Sequence, residues 1–246
     1  MEHAFIALSL TVFFAAALQS ATGIGFGVIA GPIMLLLLNS GTSIQISIVL
    51  NLLIAVLLIR SIRLEFNKAV LINLIIGSVV GLPLGLWIFL NVNIVTLKLL
   101  AGSAVLLTAL LVIRNIIGNM RSTEHPPSRK GAVISGIVSG AMSGSLAMPG
   151  PVVAAWMSAA GVDKRAVRAT TLSLFIFSYS AALLLQIPFG GIESATLWTC
   201  LKLAPATIAG VYVGKMMVDR LTERVFTWLI LLILILTAAF LFISTL

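Results

Sequence analysis

Charge is scarce in this 246-residue chain: Asp, Glu, Lys and Arg make up 9% of it, against 60% apolar residues. The longest polar stretch is Asn119–Lys130, too short to hold a soluble domain. There is one cysteine, Cys200, in an apolar run, which excludes internal disulfides and cysteine metal clusters. The seven carboxylates (Glu2, Glu65, Glu124, Asp163, Glu193, Asp219 and Glu223) and both histidines (His3 and His125) fall in loops or at the ends of apolar runs. None lies mid-span, where proton relays usually have one, so coupling through a protein carboxylate is not expected. Nucleophile–base pairs, metal-ligand spacings and phosphate loops are all missing. Gly23-Ile-Gly-Phe-Gly lacks the strand–helix setting and the following acidic residue of a dinucleotide fingerprint. The chain therefore does not read as an enzyme, and no catalytic residue, metal or cofactor is expected. Met1-Glu2-His3 has no basic n-region, so no cleavable signal peptide is expected either.

What fills the chain is hydrocarbon. Apolar blocks fall near 4–38, 44–60, 69–90, 95–117, 131–160, 166–188, 195–217 and 225–246. Six have the length of a single membrane crossing. The blocks at 4–38 and 131–160 are too long for one helix and are interrupted by glycine and proline. The fold class expected is an all-α polytopic membrane protein, with the lipid bilayer as its first partner. A net charge of +8 would suggest nucleic acid in a soluble protein. Here the basic residues set membrane orientation, and no nucleic-acid partner is expected.

The two interrupted blocks resemble each other. Ser20-Ala-Thr-Gly-Ile-Gly-Phe-Gly-Val-Ile-Ala-Gly31-Pro32 is followed, 119 residues on, by Ser139-Gly-Ala-Met-Ser-Gly-Ser-Leu-Ala-Met-Pro-Gly150-Pro151. Ser20 falls on Ser139, Gly25 on Gly144 and Gly31-Pro32 on Gly150-Pro151. If every block crossed once, Lys164, Arg165, Arg168, Lys215, Arg220 and Arg224 would face away from Arg60, Arg63, Lys68, Arg114, Arg121, Arg129 and Lys130. If 4–38 and 131–160 each enter and leave by one face, as half-helices or a tight hairpin, all thirteen become cytoplasmic, as the positive-inside tendency requires. That solution predicts two inverted repeats, 1–118 and 131–246, each a broken re-entrant helix pair plus three transmembrane helices. Residues 119–130 become a cytoplasmic linker, and both termini lie outside. Matching broken helices of this kind place a transporter's substrate site where the breaks meet.

Freed backbone at membrane depth survives only against protein or a water-filled cavity. Helices restarting after the breaks would aim N–H groups and positive dipole ends at the centre, a setting for a small anion. The predicted breaks are Gly27, Gly31 and Pro32, and Pro149, Gly150 and Pro151. The residues expected to bind substrate around them are Gln19, Ser20, Thr22, Gly23, Gly25, Ser139, Ser143, Gly144 and Ser145. The competing reading is that these side chains only satisfy kinked backbone. Asn51 and its repeat partner Thr170, with Thr171 beside it, flank the site. An amide in hydrocarbon needs a partner, whereas Ser and Thr bond readily to their own helix. Arg168, at the cytoplasmic entry of its span, could draw an anion or serve as a solvated positive-inside charge.

Other small residues read as packing. Gly77/Gly81/Gly85, Ala206/Gly210/Gly214 and Gly136/Gly140/Gly144 are small-xxx-small ladders. The third runs into the second break and could do both jobs. Lys98 and Lys202, on the outer half, are expected to snorkel to the interface. An anion leaving a negative-inside cell gains about 2.3 kcal/mol per charge per 100 mV, so export needs no coupled ion.

Thr22-Gly-Ile-Gly-Phe-Gly-Val with Gly31-Pro32, and Ser143-Gly-Ser-Leu with Pro149-Gly-Pro151, resemble the two glycine-rich breaks of the TauE/SafE (sulfite exporter) family of membrane permeases. Asp163-Lys-Arg-Ala-Val-Arg-Ala-Thr-Thr is similar to that family's entry to the helix after the second break. The resemblance covers essentially the whole chain. It departs from the pattern at Phe26, where a third consecutive glycine is common, and at Ser145 and Leu146. It implies a secondary transporter in a bacterial inner membrane, exporting a small sulfur-containing anion such as sulfite or sulfoacetate by alternating access. An anion channel of the same architecture and a non-transporting scaffold subunit are the alternatives.

Overall fold

The computed structural model describes residues 2–23, 25–59, 66–117, 127–217 and 223–245. They form ten helices: α1 (Glu2–Thr22), α2 (Phe26–Leu38), α3 (Thr42–Ile59), α4 (Lys68–Asn91), α5 (Ile94–Ile117), α6 (Arg129–Leu146), α7 (Gly150–Ala159), α8 (Lys164–Gly190), α9 (Ser194–Met217) and α10 (Glu223–Ile243). Arg60, Arg63, Arg121, Arg220 and residues 119–126 of the linker lie outside the described residues.

Six of the described helices are long and apolar enough to cross a bilayer: α1, α3, α4, α5, α8 and α9. Large apolar side chains such as Trp87, Leu184, Trp198 and Phe240 stand on the outside of the fold. Such a surface is stable against lipid, not water. The chain is a multi-pass membrane protein.

Each interrupted block becomes a long arm and a short arm. At 1.5 Å per residue, α1 is about 32 Å long and α2 about 20 Å; α6 is about 27 Å and α7 about 15 Å. The long arms are held by the ladders. Gly77, Gly81 and Gly85 of α4 press on the carbonyls of Val133, Ile137 and Ala141 in α6. In return, Gly136, Gly140 and Gly144 press on Leu74, Ser78 and Leu82 of α4. A Cβ at any of these positions would overlap facing backbone, so the two helices touch main chain to main chain. Four-residue steps advance the same way on both, so α4 and α6 run parallel. On the other side of the fold, Gly210 and Gly214 of α9 press on Phe13 and Ala17 of α1, also in parallel.

Between these pairs, α3 packs on α8, and α5 packs on α10. The short arm α2 touches α3, α5 and α10, while α7 touches α6 and α8. At one end of the fold Phe89 sits against Gly41 and Gly190, and Gln45 Nε2 donates to the Gly191 carbonyl at 2.8 Å. At the other, Lys215 Nζ reaches the Leu57 carbonyl at 3.4 Å.

The structure corrects part of the expected geometry. Gly27, Gly31 and Pro32 do not break a helix: all three lie inside α2. Pro32 removes only one ladder bond, and membrane helices tolerate that where neighbours cover the gap. Pro83, Pro188 and Pro205 are likewise interior. The first interruption comes earlier, across Gly23–Gly25, and the second covers Ala147–Pro149. Gly150 and Pro151 form the opening turn of α7, where proline's missing N–H costs nothing. Lys98 also departs from the snorkelling expectation, being only 8% exposed. Lys202 is exposed.

Candidate functional site

The first interruption is made by two glycines. Gly23 (φ +83°) and Gly25 (φ +154°) hold backbone conformations that a side chain disfavours. Gly23 N–H donates to the Gln19 carbonyl at 2.7 Å, closing α1. Gln19 Oε1 then accepts from the first amide of α2, that of Phe26, at 2.9 Å. One glutamine thus caps the end of one helix and the start of the next, and its Nε2 is buried without a partner.

The second interruption is made differently. Ala147 adopts the left-handed conformation (φ 58°), and its N–H reaches back to Met142 and Ser143. Met148 N–H returns to the Met142 carbonyl at 3.1 Å, completing a Schellman-type closure without glycine. Ser139 Oγ donates to the Pro149 carbonyl at 2.8 Å, across the gap. Tyr179 Oη donates to the Ala147 carbonyl at 3.1 Å.

The two interruptions meet. Gly27, in the first turn of α2, lies so close to the Ala147 carbonyl that any Cβ there would overlap it. A turn later, Gly31 faces Met148 Cε, the Leu146 carbonyl and Ser47 Oγ. These glycines therefore permit a helix to approach a break.

The expected site residues divide by what they bond. Thr22, Ser145 and Thr171 each donate to the carbonyl four residues back, at 2.7–2.8 Å, the local bond expected of helical Ser and Thr. Ser20 Oγ donates to Val211 of α9 at 2.9 Å. Gly144 faces α4, not the breaks, and its carbonyl accepts from Gln186 Nε2 at 3.2 Å. Asn51 Nδ2 donates to Ser47 at 3.0 Å, while its Oδ1 has no partner. Ser143 and Thr170 are fully buried, and neither hydroxyl has a partner. Arg168, half-buried, donates from Nη2 to the Ser20 carbonyl at 2.6 Å.

Eight buried side-chain atoms among the described residues have no hydrogen-bond partner in the protein: Gln19 Nε2, Ser47 Oγ, Asn51 Oδ1, Ser143 Oγ, Arg168 Nε, Thr170 Oγ1, Ser178 Oγ and Gln186 Oε1. Six carry hydrogens to donate; Asn51 Oδ1 and Gln186 Oε1 only accept. All sit on α1, α3, α6 and α8, the two long arms and the central pair. Buried polar atoms are normally satisfied, so a set this large inside a membrane fold calls for a functional account. Ser47, Ser178, Tyr179 and Gln186 were not singled out from sequence. Gln186 carried the signal that marked Asn51, an amide within an apolar span. Tyr179 carried a weaker one, a phenol that needs a partner when buried.

No curated protein and no solved structure matches the chain. A family model does: that of the sulfite exporter TauE/SafE matches residues 8–241. With the match running over nearly the whole chain and the helices built to span a bilayer, this protein belongs to the TauE/SafE sulfite exporter family, a family of membrane transporters and not of enzymes.

Proposed function

We propose that the protein exports a small sulfur-containing anion, such as sulfite or sulfoacetate, across a bacterial inner membrane by alternating access. The two moving parts are inverted repeats, residues 1–118 and 131–246, joined by a cytoplasmic linker at 119–130, with both termini outside. The exchange of packing partners supports this arrangement. Swapping each helix of α1–α5 for its counterpart in α6–α10 turns the α1·α9 contact into α6·α4 and leaves α3·α8 and α5·α10 unchanged. Five elements that each reverse direction also start the second half in the opposite sense to the first.

The observation that carries the functional reading is the donor-rich set of unpartnered buried groups, of which Gln19, Ser47, Ser143 and Arg168 lie against the two interruptions. The cap residues Gly25 and Pro149 make no side-chain bond to the first turns of α2 and α7, while Gln19 Oε1 takes the first amide of α2. N-terminal amides and neutral hydroxyls suit an oxyanion that must be held and then released. Fixed cations alone would hold it too long. An outward-directed membrane potential term of about 2.3 kcal/mol per charge per 100 mV suffices to drive export.

The test is counterflow of labelled sulfoacetate in proteoliposomes, with sulfite, sulfate, taurine and acetate as competitors. Saturable exchange blocked by sulfite is the expected result. Ser143→Ala removes one unpartnered donor and should raise KM about tenfold, with little change in thermal stability. No exchange by intact wild-type protein, or an ohmic current in its place, overturns the reading.

A further inference from the structure

We infer that Arg168 is the residue that recognises the substrate's charge, and that substrate and the end of α1 compete for the same edge of its guanidinium. The inference rests on the transport reading above and deepens it, since it names the recognition element and what recognition releases. Arg168 lies one turn into α8, and its aliphatic stem covers Gly23, where no Cβ could be accommodated. Its Nη2 donates to the Ser20 carbonyl at 2.6 Å, and its Nε is buried with no partner. No described carboxylate pairs with it; Asp163, the nearest acid in sequence, accepts from the Arg165 amide as the cap of α8.

A half-buried guanidinium held by one neutral carbonyl is under-compensated, and an anion gains more there than at a solvated lysine. Nε–H and one Nη2–H form a single fork, which suits two oxygens of one oxyanion. The Ser20 carbonyl accepts from Nη2, one of the fork's two nitrogens. An oxyanion docking on Nε–H and Nη2–H is thereby set against the Ser20 carbonyl for the Nη2 nitrogen. Ser20 ties α1 on two sides, with its hydroxyl on Val211 of α9 and its carbonyl on Arg168. Substrate binding thus removes one of the two ties at Ser20 and loosens the end of α1 beside Gly23 and Gly25. A sulfonate or sulfite, with several equivalent oxygens, satisfies the fork, whereas a neutral sulfur compound leaves α1 tied.

The experiment compares wild type, Arg168→Lys and Arg168→Gln in sulfoacetate counterflow. It adds thiol labelling of Ala21→Cys, in a Cys200→Ser background, with and without sulfoacetate. Lys keeps the charge but lacks the fork, so KM should rise about tenfold while Vmax stays within about twofold; Gln should raise KM about a hundredfold. Sulfoacetate should speed labelling of the introduced thiol several-fold when Arg168 is present. In the Gln variant, labelling should be fast from the start and indifferent to substrate. If the Gln variant does not fold, the Lys variant alone decides. Unchanged KM and an unchanged labelling response in the Lys variant overturn the inference while leaving the carrier intact. Absence of wild-type exchange overturns both.

Discussion

The two interruptions, which look like copies in sequence, are built from different chemistry. The first is a pair of positive-φ glycines braced by Gln19 from within and Arg168 from across the fold. The second has no glycine in the turn; it is an alanine forced left-handed and held by Ser139 and Tyr179. Their registers differ as well. At the 119-residue offset Gly25 should match Gly144, yet Gly25 caps α2 while Gly144 is still helical in α6. Gly31-Pro32 should match the start of α7, yet it lies in the middle of α2. The first break thus comes about a turn early. Gly23-x-Gly25 ends α1 at once, whereas Ser143-Gly-Ser keeps helical backbone until Leu146. One break is a glycine turn beside an arginine hydrogen bond, and the other is a neutral, cross-braced corner.

That contrast can be broken most directly at the point where the two meet. Gly27→Val would drive methyl groups into the Ala147 carbonyl. Overpacking of this kind costs about 1–3 kcal/mol, occasionally more, so both thermal stability and counterflow should fall sharply. Wild-type stability in this variant would mean that the breaks do not touch. A smaller, paired effect comes from the hydroxyls. Ser139→Ala strands the buried Pro149 carbonyl and should cost about 1–3 kcal/mol in reversible denaturation. Ser20→Ala should cost about 0.5–1 kcal/mol, because Val211 keeps its place in the α9 ladder. Equal losses would erase the distinction between a braced corner and a glycine turn. The smallest effect is expected of Ala147→Gly, which relieves a left-handed alanine and should raise the melting temperature slightly, by less than about 1 kcal/mol in stability.

The bilayer explains why so much was legible in the residues. A chain that is 60% apolar, with runs of membrane length, has to be helical, because every N–H and C=O needs a partner inside its own segment. That two of the apolar blocks fail as single helices was equally plain, though not where the first one breaks, and so was the packing role of the ladders. Gly77, Gly81 and Gly85 announced a close neighbour, although only the fold named it as α6.

The site was less legible, for a physical reason. Whether a buried hydroxyl satisfies its own helix or points at something else depends on its rotamer and its surroundings. Thr22, Thr171 and Ser145 take the local bond; Ser143 and Thr170 do not. Nothing in residue type or spacing separates the two groups.

Local composition alone therefore determined the all-helical membrane architecture, the existence of two interruptions and the lack of a mid-span carboxylate, since each depends only on how a short segment partitions between water and lipid. The tertiary structure decided where each helix stops, that Gly27 meets Ala147, and that Arg168 ties down Ser20 from 148 residues away. Those outcomes depend on which backbone or side chain a neighbouring helix presents, and no property of the segment itself carries that information.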